Sequence, residues 1–318
     1  MEKSATAFAP ATLANVGAGF DCFGLALDGP EDRVRVTLAP QAGLRITQVT
    51  GVDAARIPYD ADKNTAARAA RSIWERRPAL AARYGLEMEI VKGIPAGSGL
   101  GSSAASAAAG ATAAAALVKI LGEQPLDDDA LFEAALDGEE LASGDRHGDN
   151  VAPALFGGFT IVHSASPPAI ARFMPALPLH VALVLPNMSI STKTAREILP
   201  REVPLQDAKA NWAATALMVY ALLQGDASLV GRAMTDRIVE PRRAALIPGF
   251  QAMKEAALAA GAYGFTIGGS GPACFALCGG EACAAAAGEA ALAALRRAGL
   301  DGVNRIGRIS EQGARVPP

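Results

Sequence analysis

The chain has 318 residues, more than one compact core usually takes, so two domains are expected. Hydrophobic residues make up 51%, charged residues 19%, and the net charge is -3, which excludes a disordered chain and leaves no electrostatic footprint for nucleic acid. "MEKSATAFAPATLANVG" has no signal-peptide layout, no block of Lys or Arg suggests a membrane surface, and the longest apolar run (Ala104 to Ile120) is mostly alanine interrupted by Ser106, Gly110 and Thr112, so a cytoplasmic protein is expected.

In chain order, "RVRVTLAP" (33–40) and "LEMEIVKG" (86–93) read as strands. In the second, Leu86, Met88 and Ile90 alternate with Glu87 and Glu89. Between them "DKNTAARAARSIWERR" (62–77) reads as a helix capped by Asp62 or Asn64. Helices are predicted over about 102–121 and 127–143, the second ended by Gly144. "GGFTIVHS" (157–164) is a strand, and the proline-rich "ASPPAIARFMPALP" (165–178) is the candidate domain boundary. The divide is drawn as 1–168 and 169–318. Then come a strand (179–186), helices at 192–199, 208–224, 226–237 and 249–261, a strand–glycine turn–strand (263–280), and a last helix over 281–298. Cys22, Cys274, Cys278 and Cys283 form no CxxC pair and read as reduced thiols. His147, His163 and His180 are scattered, which argues against a His/Cys metal site.

The stretch "GIPAGSGLGSSAASAAAGATAAAAL" (93–117) sets glycines directly before the best helix former in the chain. A helix leaves its first amides unpaired, its dipole adds positive charge there, and glycines let the backbone approach a ligand closely. Phosphate binds well at such an end. Ser102 and Ser103 open the helix, where they can cap amides or turn a hydroxyl to a metal. An ordinary Gly/Ser loop before an N-cap has the same composition. A Walker A loop would end in Gly-Lys-Ser/Thr, and a dinucleotide fingerprint would space its glycines G-x-G-x-x-G; neither is present.

"PAGSGLGSSAA" (95–105) resembles the phosphate loop of the GHMP kinase superfamily. "APATLANVGAGFDCFGLAL" (9–27) and "TIGGSGPACFAL" (266–277) resemble its N-terminal and C-terminal motifs. "ANVGAGFDCFG", "HGDNVAPALFGG" (147–158), "STKTAREILP" (191–200), "VEPRRAALIPGF" (239–250) and the closing "GAR" narrow the likeness to the homoserine kinase family, nearly end to end. The resemblance implies an α+β fold of two domains. The first would be similar to ribosomal protein S5 domain 2, with a left-handed βαβ unit against the usual hand. The second would be an α+β sandwich, with the active site between them.

The resemblance also implies roles. Lys92, Pro95, Gly97, Ser98, Gly99, Leu100, Gly101, Ser102 and Ser103 would hold the ATP phosphates. Lys92 follows Leu86, Met88 and Ile90 on one strand face, so it is expected to point inward, toward phosphate. Glu139 falls on the apolar stripe of its helix with Phe132, Ala135, Leu136 and Ala142, where a carboxylate is costly unless paired or bound to metal. The family places its Mg²⁺ carboxylate there, with Ser103 as hydroxyl ligand and Ser102 as the alternative. Asn15, Asp21, His147, Thr192, Arg196, Arg243 and Gly268 fall at acceptor-binding positions. Arginine suits a substrate carboxylate because its planar fork binds bidentately. Asp21 or Asn15 would meet the ammonium, and Asn15 alternatively the hydroxyl. Asn64 and Thr65 lie near the expected adenine site.

The implied reaction is transfer of the ATP γ-phosphoryl group to the homoserine hydroxyl, by positioning and charge stabilisation. No base is assigned. Asn150 stands where some superfamily members carry an aspartate, and Asp149→Asn is expected to keep most activity. Small-molecule substrates, no nucleic-acid or membrane partner, and a homodimer are the expected associations. Two rivals are a superfamily kinase acting on mevalonate or a sugar, and a ligand sensor that does not catalyse.

Overall fold

Alternation builds the first sheet. In the computed structural model, which describes residues 3–317, β1 (Ser4–Asn15) and the 21-residue β2 (Gly19–Ala39) form a long antiparallel hairpin. Asp32, Val34 and Val36 of β2 face the core while Arg33 and Arg35 face out. β3 (Gly43–Gly51) runs parallel to β4 (Gly85–Lys92), and β4 pairs antiparallel with β2. β5 (Phe159–Ala165) and β6 (Pro168–Phe173) complete the order β3-β4-β2-β5-β6, with β1 also on β2. The parallel β3–β4 crossover passes through α1 (Thr65–Glu75) and α2 (Pro78–Ala81). α1 packs against α3 (Ser102–Ile120) and α4 (Asp128–Ser143), and α5 (Gly148–Phe156) closes over β1, β2 and β5.

Alanine lets these helices come close. Gly110 of α3 has no room for a Cβ, which would lie 2.3 Å from the Ala66 carbonyl oxygen of α1. By length and composition α3 could cross a membrane, but 67% of its apolar 18-residue stretch is buried, as in a core helix.

The second sheet is antiparallel, in the order β10-β7-β9-β8. Its strands are β7 (His180–Pro186), β8 (Gly264–Ile267), β9 (Cys274–Cys278) and β10 (Gly302–Arg308). Because side chains alternate across a strand, β7 and β9 serve two cores. Ala182, Val184, Cys274 and Ala276 pack under α10 (Phe250–Ala259) and α11 (Glu281–Arg297). Val181, Leu183, Phe275 and Leu277 join the main core with α7 (Leu205–Gln224) and α8 (Ala227–Ala233). Two short helices, α6 (Thr192–Glu197) and α9 (Glu240–Arg243), border the space between the sheets. All four cysteines are free thiols.

The divide drawn at 168/169 falls at the start of β6, which belongs to the first sheet; the chain leaves that sheet after Phe173. The segment 309–315 then returns to it. Leu27 bridges Ile309, Phe8 bridges Arg315, and Arg315 forms a two-pronged ion pair with Glu31.

Candidate active site

A cavity of about 340 Å³ runs from Ile57, Pro58, Asn64 and Thr65, past the glycine loop, to Arg196 and Arg243. At its centre is the N-terminus of α3. Gly101 caps that helix in a left-handed conformation (φ 62°), and no side chain among the described residues caps the first amides. Any side chain at Gly101 would collide with the cavity floor: a Cβ would lie 1.9 Å from Thr12 Oγ1 and 2.8 Å from Asn150 Oδ1. Gly99 (φ 84°) meets the opposite glycine turn, where a Cβ would lie 2.9 Å from Gly268 O. Backbone bonds tie the loop to both domains: Thr12 N donates to Leu100 O and Ala273 N to Ser98 O, each at 3.1 Å. The loop is therefore preorganised, and the uncapped first residues of α3 line the cavity.

Gly97, Ser98, Gly99, Gly101, Ser102 and Ser103 line the cavity. Pro95 and Leu100 do not appear on its wall; Leu100 is 1% exposed in the core, and Pro95 accepts the Ser98 hydroxyl on its carbonyl at 2.8 Å. Ser102 Oγ donates to Ile94 O at 2.9 Å, so that hydroxyl is committed to the loop.

Lys92 points inward as expected and lines the cavity, where its ammonium is engaged by protein groups. It is 2% exposed and pairs with fully buried Asp32, donating also to Ser106 Oγ (2.7 Å) and Ser102 O (3.1 Å). Burial pushes its pKa down against the pull of Asp32. Asp32 Oδ1 accepts the amides of Gly93 (3.0 Å) and Ile94 (3.2 Å). The pair thus fastens the start of the glycine loop to β2 from below. Sequence reasoning missed Asp32, Ser106 and Thr12. Asp32 lies in "DGPEDRV", which reads as a turn, and its signal was a carboxylate in phase with Val34 and Val36.

Glu139 is 7% exposed and lines the same cavity as Ser102 and Ser103. Among the described residues no cluster of three or more His, Cys, Asp or Glu could hold a metal. A divalent ion here would need oxygens from a ligand as well as from Glu139 and a serine.

The far end of the cavity holds the charged cluster. Asn15 (φ 76°) and Asp21 (φ 55°) both adopt left-handed backbone, which Asn and Asp tolerate better than most residues. Asn15 Oδ1 accepts the Asp21 amide at 3.2 Å, and Asn15 Nδ2 donates to Gly269 O at 2.8 Å. Arg196, from α6, grips Asp21 through both terminal nitrogens at 2.9 and 3.0 Å, and also contacts His147 Nε2. Arg243 is 4% exposed, with Nε on Ala195 O (3.2 Å) and Nη1 on Gly269 O (2.7 Å). Both guanidinium groups stack on Phe20, at 5.3 and 5.2 Å from its ring centre. Burial, then the Arg196 charge, lowers the His147 pKa. Thr192 also lines this end. Gly268 does not; Gly269 and Ser270 form the wall, and a Cβ on Gly268 would meet Leu13 at 2.7 Å.

Asp149, on the first turn of α5, lies among these groups. It is 4% exposed, and its Oδ1 has no hydrogen-bond partner among the described residues. Burial first, and the nearby Asp21 charge second, push its pKa up to about 7. Its neighbour Asn150 accepts the Thr12 hydroxyl at 2.8 Å.

Comparison with known proteins adds ancestry to this geometry. The GHMP kinases N terminal domain profile matches residues 64–158, and the GHMP kinases C terminal profile matches 218–299. A homoserine kinase of Xanthomonas campestris pv. campestris is 41% identical over 317 residues, covering 99% of this chain and 94% of the relative. The Pyrococcus furiosus homoserine kinase is 41% identical over 270 residues, covering 85% and 87%. A crystal structure of homoserine kinase from Cytophaga hutchinsonii superposes with a TM-score of 0.91 at 42% identity, covering 100% of this chain and 98% of that one. A mevalonate kinase of L. major has the same fold at 16% identity and a TM-score of 0.70. The chain belongs to the GHMP kinase superfamily and, within it, to the homoserine kinase family.

Proposed function

We propose that the protein is an ATP-dependent homoserine kinase, transferring the γ-phosphoryl group to the side-chain hydroxyl of L-homoserine and so serving threonine biosynthesis in the cytoplasm. One observation carries the reading: one cavity holds both an open helix N-terminus and a cluster of two arginines with an aspartate. The first suits a triphosphate. The second suits an acceptor bearing both a carboxylate and an ammonium. A mevalonate or sugar acceptor has no ammonium, and nothing in those molecules calls for Asp21.

In this reading the amides of 97–103 hold the triphosphate from the α3 side, and Asn64 and Thr65 border the adenine. Arg196 and Arg243 take the acceptor carboxylate, while Asp21, held in place by Asn15, takes the ammonium. His147, Thr192 and Gly269 complete the acceptor wall. Positioning of the hydroxyl against the γ-phosphorus supplies most of the rate. Mg²⁺ fits Glu139 and Ser103 by donor chemistry: both are oxygen ligands, and Ser103 is preferred because the Ser102 hydroxyl is bound to Ile94. When bound, the ion would neutralise charge on the triphosphate. Glu139 and Ser103 are the residues that would hold it. The homodimer implied by family resemblance is proposed too, with sedimentation velocity as its test.

The test of function is ADP release with homoserine, mevalonate, galactose, threonine and serine as acceptors, with and without magnesium. Magnesium-dependent turnover with homoserine above all others is expected. Turnover with another alcohol alone, or ATP binding with no turnover, would overturn the reading.

A further inference from the structure

The acceptor cluster has a feature its individual roles do not explain: its two key groups are already bonded to each other. Asp21 comes from the start of β2 in the first domain and Arg196 from α6 of the second, and they form a bidentate pair across the cavity. Neither charge is available to a ligand while that pair is closed. Arg243 is held by two backbone carbonyls and stacked on Phe20, so it stays in place and does not replace Arg196 at Asp21.

We propose that Asp21 and Arg196 determine specificity jointly, by exchange: the amino-acid acceptor is admitted because its ammonium and carboxylate replace the internal ion pair charge for charge. The inference rests on the homoserine kinase reading and deepens it. A zwitterion opens the pair and satisfies both halves. A ligand with a carboxylate alone takes Arg196 and leaves the Asp21 carboxylate without its ion-pair partner, and a ligand with an amine alone leaves Arg196 with only its contact to His147. An unsatisfied charged group is penalised far more than a lost neutral bond. The two side chains are 34% and 36% exposed, so the pair is weak enough for a ligand to break. Selection thus comes from what each wrong ligand strands. The other charged groups facing the pair (His147, Asp149, Arg243) are present in either state.

The experiment is calorimetric binding of L-homoserine, 4-hydroxybutyrate and 3-amino-1-propanol to the whole protein and to two variants. Asp21→Asn suits the left-handed backbone at this position, since Asn adopts it readily. Circular dichroism checks that each variant folds. The wild type is expected to bind L-homoserine at least about a hundredfold tighter than either single-charge ligand. Asp21→Asn is expected to lose homoserine affinity yet gain about three- to tenfold for 4-hydroxybutyrate, because Arg196 is released. Arg196→Gln is expected to show the mirror gain for 3-amino-1-propanol. Exchange is refuted if both variants bind their single-charge ligands no better than the wild type does, since side chains that act separately give no gain. Homoserine binding and turnover by the wild type report on the function itself, so that reading can stand while exchange falls, or fail on its own.

Discussion

Replacing Lys92 by Met separates two roles for this lysine. The structure makes it the partner of Asp32, with the two side chains 2% and 0% exposed. Met fills similar volume but brings no charge, so Asp32 is left as a buried carboxylate. Breaking a buried pair from one side costs about 3–5 kcal/mol. Asp32 keeps its bonds from Gly93 N, Ile94 N and Ser106 Oγ, which sets the expectation at the lower end, about 3 kcal/mol. The double variant Asp32→Asn/Lys92→Met removes the stranded charge and should recover at least half of the loss, because an amide oxygen can still accept the two loop amides. The assay is urea unfolding followed by circular dichroism, with the KM for ATP measured alongside at saturating acceptor. A lysine that gripped the triphosphate would behave differently. Its loss would raise the ATP KM by orders of magnitude, change stability by less than about 1 kcal/mol, and gain nothing from Asp32→Asn. That outcome would refute the reasoning.

Gly101→Ala forces a left-handed alanine, at about 1–2 kcal/mol, and drives Thr12 off Asn150 for about 1 more, so urea unfolding should show a loss near 2–3 kcal/mol with a raised ATP KM. Glu139→Gln should lower turnover about a hundredfold or more and raise the magnesium needed for half-maximal rate, read by magnesium titration of ADP release. For Asp149 the folded pKa, about 7, lies above the ordinary value of 3.8, so the native state holds the extra proton. Its stabilising effect is therefore full near pH 4 and fades as the pH rises through 7, by an amount of the order of 4 kcal/mol. Asp149→Asn should accordingly be more stable than the wild type at pH 8 and little different near pH 4, while keeping most activity. A drop in activity beyond about a thousandfold in a folded variant would mean that Asp149 takes the hydroxyl proton.

The helices are legible where spacing and caps agree. Asn64 accepts Ala67 N, Asp127 accepts Ala130 N, and Gly144 ends α4 as expected. The β1 strand escapes because "SATAFAPATLAN" is built of small residues whose alternation carries little contrast, although its second half is entirely buried. β6 sits in a proline-rich stretch that reads as a linker; its proline is the first residue of an edge strand, where no ladder amide is needed. α5 hides behind its opening glycine and Pro153, both poor helix formers. At the site, the residue types and loop spacing are visible, and so is the inward phase of Lys92. What it meets inside is not, because Asp32 is 60 residues away in sequence. The Asp21–Arg196 contact is likewise hidden, joining residues 175 apart.

The return of residues 309–315 to the first sheet bears on how the chain is made. Phe8, Leu27 and Glu31 belong to its first hairpin, yet their partners Arg315 and Ile309 are translated far later, Arg315 284 residues after Glu31. At roughly 5–20 residues per second, the interval between β6 and Arg315 is on the order of ten to thirty seconds. For that time the nucleotide-side half stands on the ribosome with its hairpin face uncovered. The domain written first is thus completed only after the second has been made.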